Sequence, residues 1–292
     1  MSRRIDCHVH AYPAAVSEDP RGWAEARGET WWADCVAPID RPSIQGWADA
    51  DQMVRDLDAA GIDHAIMLGW YWQQQSTCDE QNAWMADWQK QHPDRLRAFA
   101  TVNITAGALA VHSTKRWLDE GFLGIGELLD CVQGYRYSDE SFHALAELAR
   151  EYDVPFNLHV TDPKLDTKSG MQPTPLNDFV DLANALPDNT FILAHLGGGL
   201  PWSDIPQLPT NLYFDTAAVP LIYHTDAYRR AVAAVGSDRI LFGSDYPLRL
   251  HPRDSKHPAI DRIVSEIQSA GLAEDELSAM MGRNLQRLLP RV

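Results

Sequence analysis

The segment Asp6-Cys7-His8-Val9-His10 sets two imidazoles at alternate positions of a short apolar run. Alternate side chains of an extended strand share a face, so His8 and His10 lie about 7 Å apart and can converge on one metal ion. A lone His-x-His pair is a weak signal, because such pairs arise often by chance. Four further segments strengthen it, each ending an apolar run on a ligand or acid/base group. They are Glu127 in Gly124-Ile125-Gly126-Glu127, His159 in Phe156-Asn157-Leu158-His159, His195 in Ile192-Leu193-Ala194-His195, and Asp245 in Phe242-Gly243-Ser244-Asp245. One such residue could be a satisfied core group. Five segments meeting at one rim are hard to explain that way, since buried charge and imidazole are costly without a partner.

The elements that must position these residues alternate regularly along the chain. Eight segments read as strands: Arg4 to His10, His64 to Trp70, Leu96 to Asn103, Gly124 to Leu128, Phe156 to Val160, Phe191 to Leu196, Leu212 to Thr216 and Ile240 to Ser244. Amphipathic helical patterns fill the intervals. Ser138 to Tyr152 repeats Phe142, Leu145, Ala146 and Ala149 on one face, and Gln52 to Ala60 ends at Gly61, a residue suited to stopping a helix. A last helix, Glu274 to Leu289, is expected to close against the final strand. The alternation predicts an α/β fold, a TIM barrel forming a single domain over residues 1–292. Residues 11–46 form a long insertion after the first strand that carries Trp23, Trp31 and Trp32. It follows the C-terminal end of a strand, so it is expected to be a lid or pocket wall, with an exposed loop or an oligomer contact as the alternative.

Composition limits the partners. Of 292 residues 45% are hydrophobic, enough for one large core. The formal charge of -16 repels phosphate backbones and anionic lipid, so neither nucleic acid nor a membrane surface is an expected partner. Cys7, Cys35, Cys78 and Cys131 are scattered and form no CxxC pair, which favours reduced thiols in a cytoplasmic protein. Neither a secretory signal nor an apolar run of about 18 residues is apparent.

Taken together, Asp6-x-His8-x-His10, Leu193-Ala194-His195-Leu196-Gly197-Gly198, Asn211-Leu212-Tyr213-Phe214-Asp215-Thr216 and Arg239-Ile240-Leu241-Phe242-Gly243-Ser244-Asp245-Tyr246-Pro247 resemble the amidohydrolase superfamily. The likeness is to its amidohydrolase-related branch, similar to aminocarboxymuconate-semialdehyde decarboxylase, and runs nearly end to end. It implies that His8, His10 and His159 are metal ligands, and that Asp245 touches the ion and moves a proton. His195 matches an imidazole that stabilises developing negative charge in one-metal members and is a ligand in two-metal members. Glu127 resembles the glutamate that helps some branches hold a second ion; no lysine lies in its segment, so the carboxylated-lysine version is excluded. The expected cofactor is one or two divalent ions, zinc first and manganese second.

The resemblance favours a hydrolase in which an ion lowers the pKa of water to about 7, Asp245 is the general base and His195 stabilises the oxyanion. The expected substrate is a small lactone, ester or amide. The first alternative is nonoxidative decarboxylation of an aromatic or unsaturated carboxylic acid, with Arg249 or Arg136 anchoring the carboxylate. The second is a noncatalytic metal- or ligand-binding barrel. Trp70 and Trp72, flanking Tyr71, are expected to stack on a cyclic substrate, with packing at a homodimer interface as the alternative.

Overall fold

In the computed structural model, which describes residues 3–164, 172–251 and 257–292, each expected strand is present and shorter than its apolar run. The strands are β1 (Ile5–Val9), β2 (His64–Met67), β3 (Leu96–Ala98), β4 (Ile125–Leu128), β5 (Phe156–Leu158), β6 (Phe191–Leu193), β7 (Leu212–Asp215) and β8 (Ile240–Leu241). All pair in parallel with their sequence neighbours, β1 to β3 in one run and β4 to β8 in another. Backbone bonds join the two runs. Ala100 N–H donates to Gly124 O at 2.8 Å across β3 and β4, and Cys7 N–H to Phe242 O at 2.8 Å across β8 and β1. The chain is therefore an α/β TIM barrel, and its loops after each strand converge on one rim.

Helices return the chain between strands and bury one face each. Ala50–Ala60 buries Met53 and Leu57 and ends at Gly61, whose φ of 66° is the left-handed stop that glycine adopts without strain. Glu140–Tyr152 buries Phe142, Leu145 and Ala149, two residues shorter at its start than the periodicity suggests. The expected final helix is interrupted: Glu274–Ser278 and Asn284–Leu288 flank a wide turn over Ala279–Arg283. The cause is a tertiary contact. A Cβ on Gly282 would sit 2.0 Å from the Arg3 carbonyl oxygen, so the chain passes here against the start of β1. Phe242 N–H donates to Met280 O at 2.9 Å and the Asn284 amide to Ile240 O at 2.8 Å, which fastens this segment to β8.

Residues 11–46 fold into three short helices, Ala14–Glu18, Pro20–Glu25 and Thr30–Val36. Two of their tryptophans are buried, Trp23 and Trp32 packing with Trp70, Tyr71 and Trp72 from the loop after β2 in an aromatic cluster separate from the main core, and partly exposed Trp31 packs against it. Buried Glu29 pins the insertion to that loop, accepting from the backbone N–H groups of Gln73 at 2.8 Å and Gln74 at 3.0 Å. Among the described residues, no helix is long and apolar enough to cross a membrane.

Candidate active site

The side chains of His8 and His10 leave β1 together, their rings 5.2 Å apart. Each ring is oriented by its Nδ1. His8 Nδ1 lies 2.9 Å from Asp215 Oδ2, and His10 Nδ1 lies 3.0 Å from the Leu68 carbonyl. A carboxylate and a carbonyl only accept, so Nδ1 carries a proton in both rings and each Nε2 faces the centre, where loss of its proton to an incoming metal ion frees a lone pair for ligation. The same holds for His195, whose Nδ1 lies 2.9 Å from Ala217 O.

The strand ends bring Glu127, His159, His195 and Asp245 to the same place. Backbone conformation does part of this work. His195 (φ 58°) and Asp245 (φ 63°) are non-glycine residues in the left-handed region, a conformation that costs about 1–3 kcal/mol and that gathers at functional sites. Gly243 lets β8 lie against β1, since a Cβ there would be 2.8 Å from that of His8. Asp6, on the face of His8, is not in the cluster. Its Oδ1 accepts from His8 N–H at 3.1 Å and Ser244 N–H at 3.0 Å, which ties β1 to β8.

Two groups of donors result. His8, His10 and Asp245 form one; Glu127, His159 and His195 form the other, and all six residues are buried. Glu127 faces both. Its Oε2 lies 3.8 Å from His8 Nε2 and 4.0 Å from His10 Nε2, while Oε1 lies 2.9 Å from His159 Nδ1 and 3.9 Å from His195 Nε2. Asp245 Oδ1 is 3.5 Å from His10 Nε2 and 3.8 Å from His8 Nε2.

This donor set fits a divalent cation. His8 Nε2 is buried and has no hydrogen-bond partner, an expensive state for a ring nitrogen that ligation of a metal ion relieves. Around His8, His10 and Asp245, with Glu127 facing them, nitrogen and carboxylate oxygen donors spaced between 3.5 and 4.0 Å suit ligands that each reach a shared ion over about 2.1 Å, whereas His159 and Glu127 are hydrogen-bonded to each other at 2.9 Å. The local field agrees. Burial pushes the His8 imidazole down, but Asp215, Glu127 and Asp245 outweigh it and raise its pKa to about 10. Burial likewise disfavours ionised Glu127, yet His159 and His8 hold its carboxyl down at about 2. The pocket thus favours positive charge among its carboxylates.

A cavity of about 530 Å³ opens above the cluster, lined by His10, Glu127, His159, His195 and Asp245. Trp70 and Tyr71 form its aromatic wall, Trp70 with its ring 5.5 Å from that of His10 and Tyr71 with its ring 5.2 Å from that of His159. The insertion supplies Cys35, Val36, Arg41, Ile44 and their neighbours to another side. Trp72, expected beside Trp70, instead points into the aromatic cluster and donates its Nε1–H to Gln81. Neither expected arginine reaches the cavity. Arg249 donates to the Ser43 carbonyl and so holds the insertion, and Arg136 is exposed on the surface. Among the described residues, Arg41 is a cationic side chain that does line it, and the sequence reading passed over it.

Asp215 was also missed. It is fully buried, and besides His8 it accepts from Asn157 Nδ2 at 3.1 Å and from the backbone N–H groups of His195 at 3.1 Å and Ala217 at 3.0 Å. The available signal was an acidic residue at the end of the seventh strand segment.

A parallel barrel with buried histidines and carboxylates gathered at its rim is the architecture of metal-dependent TIM-barrel enzymes. The chain belongs to the amidohydrolase family, whose model matches residues 5–291. It is similar to the gamma-resorcylate decarboxylase of Polaromonas sp. strain JS666, at 24% identity over 298 residues covering 82% of this chain and 86% of that protein. Among solved structures, 2,6-dihydroxybenzoate decarboxylase complexed with 2,6-dihydroxybenzoate matches with a TM-score of 0.69 and 20% identity, covering 99% of both chains. The 5-carboxyvanillate decarboxylase of Novosphingobium aromaticivorans, with bound manganese and 3-methoxy-4-hydroxy-5-nitrobenzoic acid, matches with a TM-score of 0.75 and 15% identity, covering 98% of this chain and 97% of that one. These proteins overturn the hydrolytic expectation. They are decarboxylases, which favours the alternative reaction over hydrolysis and leaves the water-activating roles expected of Asp245 and His195 without support.

Proposed function

We propose that the chain is a nonoxidative decarboxylase of a small aromatic acid with a ring hydroxyl group. The observation that carries the reading is one cavity that joins a cluster of metal-ligating side chains to the aromatic wall of Trp70 and Tyr71. Similarity to decarboxylases of hydroxylated benzoates supports it. Residues 11–46 belong, in this reading, to the same domain and serve as pocket wall.

His8, His10 and Asp245 would hold one ion, and Glu127, His159 and His195 a second. A bound divalent ion supplies positive charge that fixes the substrate's oxygens and favours the ionised ring hydroxyl. Asp245 is suited to move the proton. Burial pushes its carboxyl up, but the imidazoles of His10, His8 and His195 around it hold it well below the usual carboxylate range, so it stands ionised at the cavity floor. It accepts the hydroxyl proton and delivers it to the ring carbon that bears the carboxyl group. As that C–H bond is made, the C–C bond to the carboxylate breaks, its electron pair returns to the ring and CO2 leaves. A solvent proton then restores the hydroxyl. Carbon dioxide release from 2,6-dihydroxybenzoate and related acids tests the reading, and a panel with no release by manganese-loaded protein would refute it.

Manganese is proposed ahead of zinc, because carboxylate donors suit it and the 5-carboxyvanillate decarboxylase contains it. Chelated protein titrated with manganese is expected to take up two ions per chain, one for each donor group. Their electron paramagnetic resonance spectrum should be exchange-coupled through Glu127, and Glu127→Ala should abolish the coupling. A single uncoupled ion in the parent would sink the two-ion assignment.

Arg41 pairs with Asp40 at 3.2 Å and donates to the Asp34 carbonyl at 3.1 Å, and its charge partly offsets the carboxylates of Glu127, Asp162 and Asp245 that also line the cavity and repel an entering acid. Its side chain is 38% exposed, so screening limits the effect. Arg41→Met is expected to raise KM about threefold with kcat nearly unchanged, the size of a screened, exposed charge interaction. Equal KM values at low salt would remove this role.

A further inference from the structure

The cavity is larger and more apolar on one side than a one-ring hydroxy acid requires. At about 530 Å³ it falls within the roughly 300–1,000 Å³ of sites that enclose drug-sized ligands. Its metal-ligating floor and the Trp70–Tyr71 wall account for an acid group and a single ring. The rest of the lining includes Val36 and Ile44 from the insertion after β1, Leu221 and Ile222 after β7, and Leu248 after β8.

These three loops are neighbours around the barrel. Phe214 of β7 pairs with Ile240 of β8, and Asp245 N–H after β8 donates to His8 O of β1 at 2.9 Å. The loops that carry the five side chains therefore adjoin, with Arg249 N–H beside Leu248 donating to Ile44 O at 2.9 Å, and their apolar side chains lie along one arc of the lining. Most of the arc is also incompletely covered. Ile44 is 42% exposed, among the few large hydrophobic residues exposed on the described surface, and Leu221, Ile222 and Leu248 are half-buried. Contiguous apolar surface left open inside a binding cavity marks the place of an apolar ligand group.

We infer that the substrate class is an aromatic acid bearing a short alkyl or aryl substituent, seated on the arc of Val36, Ile44, Leu221, Ile222 and Leu248. The acid end of this ligand rests on the decarboxylase reading; the apolar end rests on the arc alone. Each methylene group that moves from water onto the arc should improve kcat/KM about fourfold, equivalent to about 0.8 kcal/mol.

The experiment compares 2,6-dihydroxybenzoate with its 4-methyl, 4-propyl and 4-pentyl derivatives on manganese-loaded protein, measuring CO2 release and, separately, binding by tryptophan fluorescence. Rising kcat/KM and tightening binding along the series are expected, and Ile44→Asp should flatten both. Decarboxylation with no dependence on chain length overturns the apolar-substituent inference and leaves the decarboxylase reading standing. Binding that tightens with chain length without CO2 release does the reverse. Binding and turnover that both weaken as the chain grows also overturn the inference.

Discussion

Replacing Asp245 with asparagine is expected to lower kcat for decarboxylation by about 10²–10⁴, the span that a positioned acid/base group contributes. The expectation follows from position and ionisation together. The Asp245 carboxylate lies between the His10 and His195 rings, 3.5 Å from His10 Nε2 and 3.9 Å from His195 Nδ1, on a residue held at φ 63°. Its neighbours keep it ionised, so the form that can accept a proton is present, while their charge weakens it as a base and leaves position to drive the transfer. Asparagine preserves shape and one oxygen but can neither take up nor release that proton. The variant also loses a metal-facing oxygen, so metal content and rate must be measured on the same sample. Loss of rate at full manganese occupancy supports proton transfer by Asp245. Undiminished kcat in the asparagine variant would exclude it, and loss of rate only in proportion to lost metal would reduce Asp245 to a ligand.

That prediction rests on residues legible in the sequence, because strand ends are local features. An apolar run followed by His159, His195 or Asp245 announces both the strand and the rim to which it points. What was not legible depends on contacts between distant parts of the chain. Asp215 orients His8 across 207 positions of sequence, and no spacing rule connects the two. Gly282 breaks a sound helical period because the Arg3 carbonyl lies against it. Arg249 has the right charge and a plausible location after β8, but its guanidinium is committed to Ser43 in the insertion. The reaction itself was hidden for a chemical reason. The same histidines and carboxylates can serve water attack or carbon–carbon cleavage, so ligand types alone did not separate them.

Asp215→Asn tests how far that distant carboxylate governs the metal centre. All four groups around Asp215 can act as donors: the His8 ring nitrogen, the Asn157 amide and the backbone N–H groups of His195 and Ala217. An asparagine offers one acceptor oxygen and one NH2 group, so either orientation sets a donor against donors. If the NH2 faces His8, the imidazole proton moves to Nε2 or the ring turns, and the lone pair aimed at the metal position is lost. If it faces the backbone, the turn that carries His195 is disturbed instead. Metal affinity is therefore expected to fall about 10–100-fold, as for other groups that orient a ligating histidine. Competition with a metal-buffering chelator measures this directly, with circular dichroism of the metal-free variant as the check that the barrel still folds. A folded variant with unchanged manganese affinity would mean that packing alone orients His8, and the role assigned to Asp215 would be withdrawn. Weakened binding that Asp215→Glu partly restores would instead assign the effect to the carboxylate, since the longer side chain keeps the charge and both acceptor oxygens.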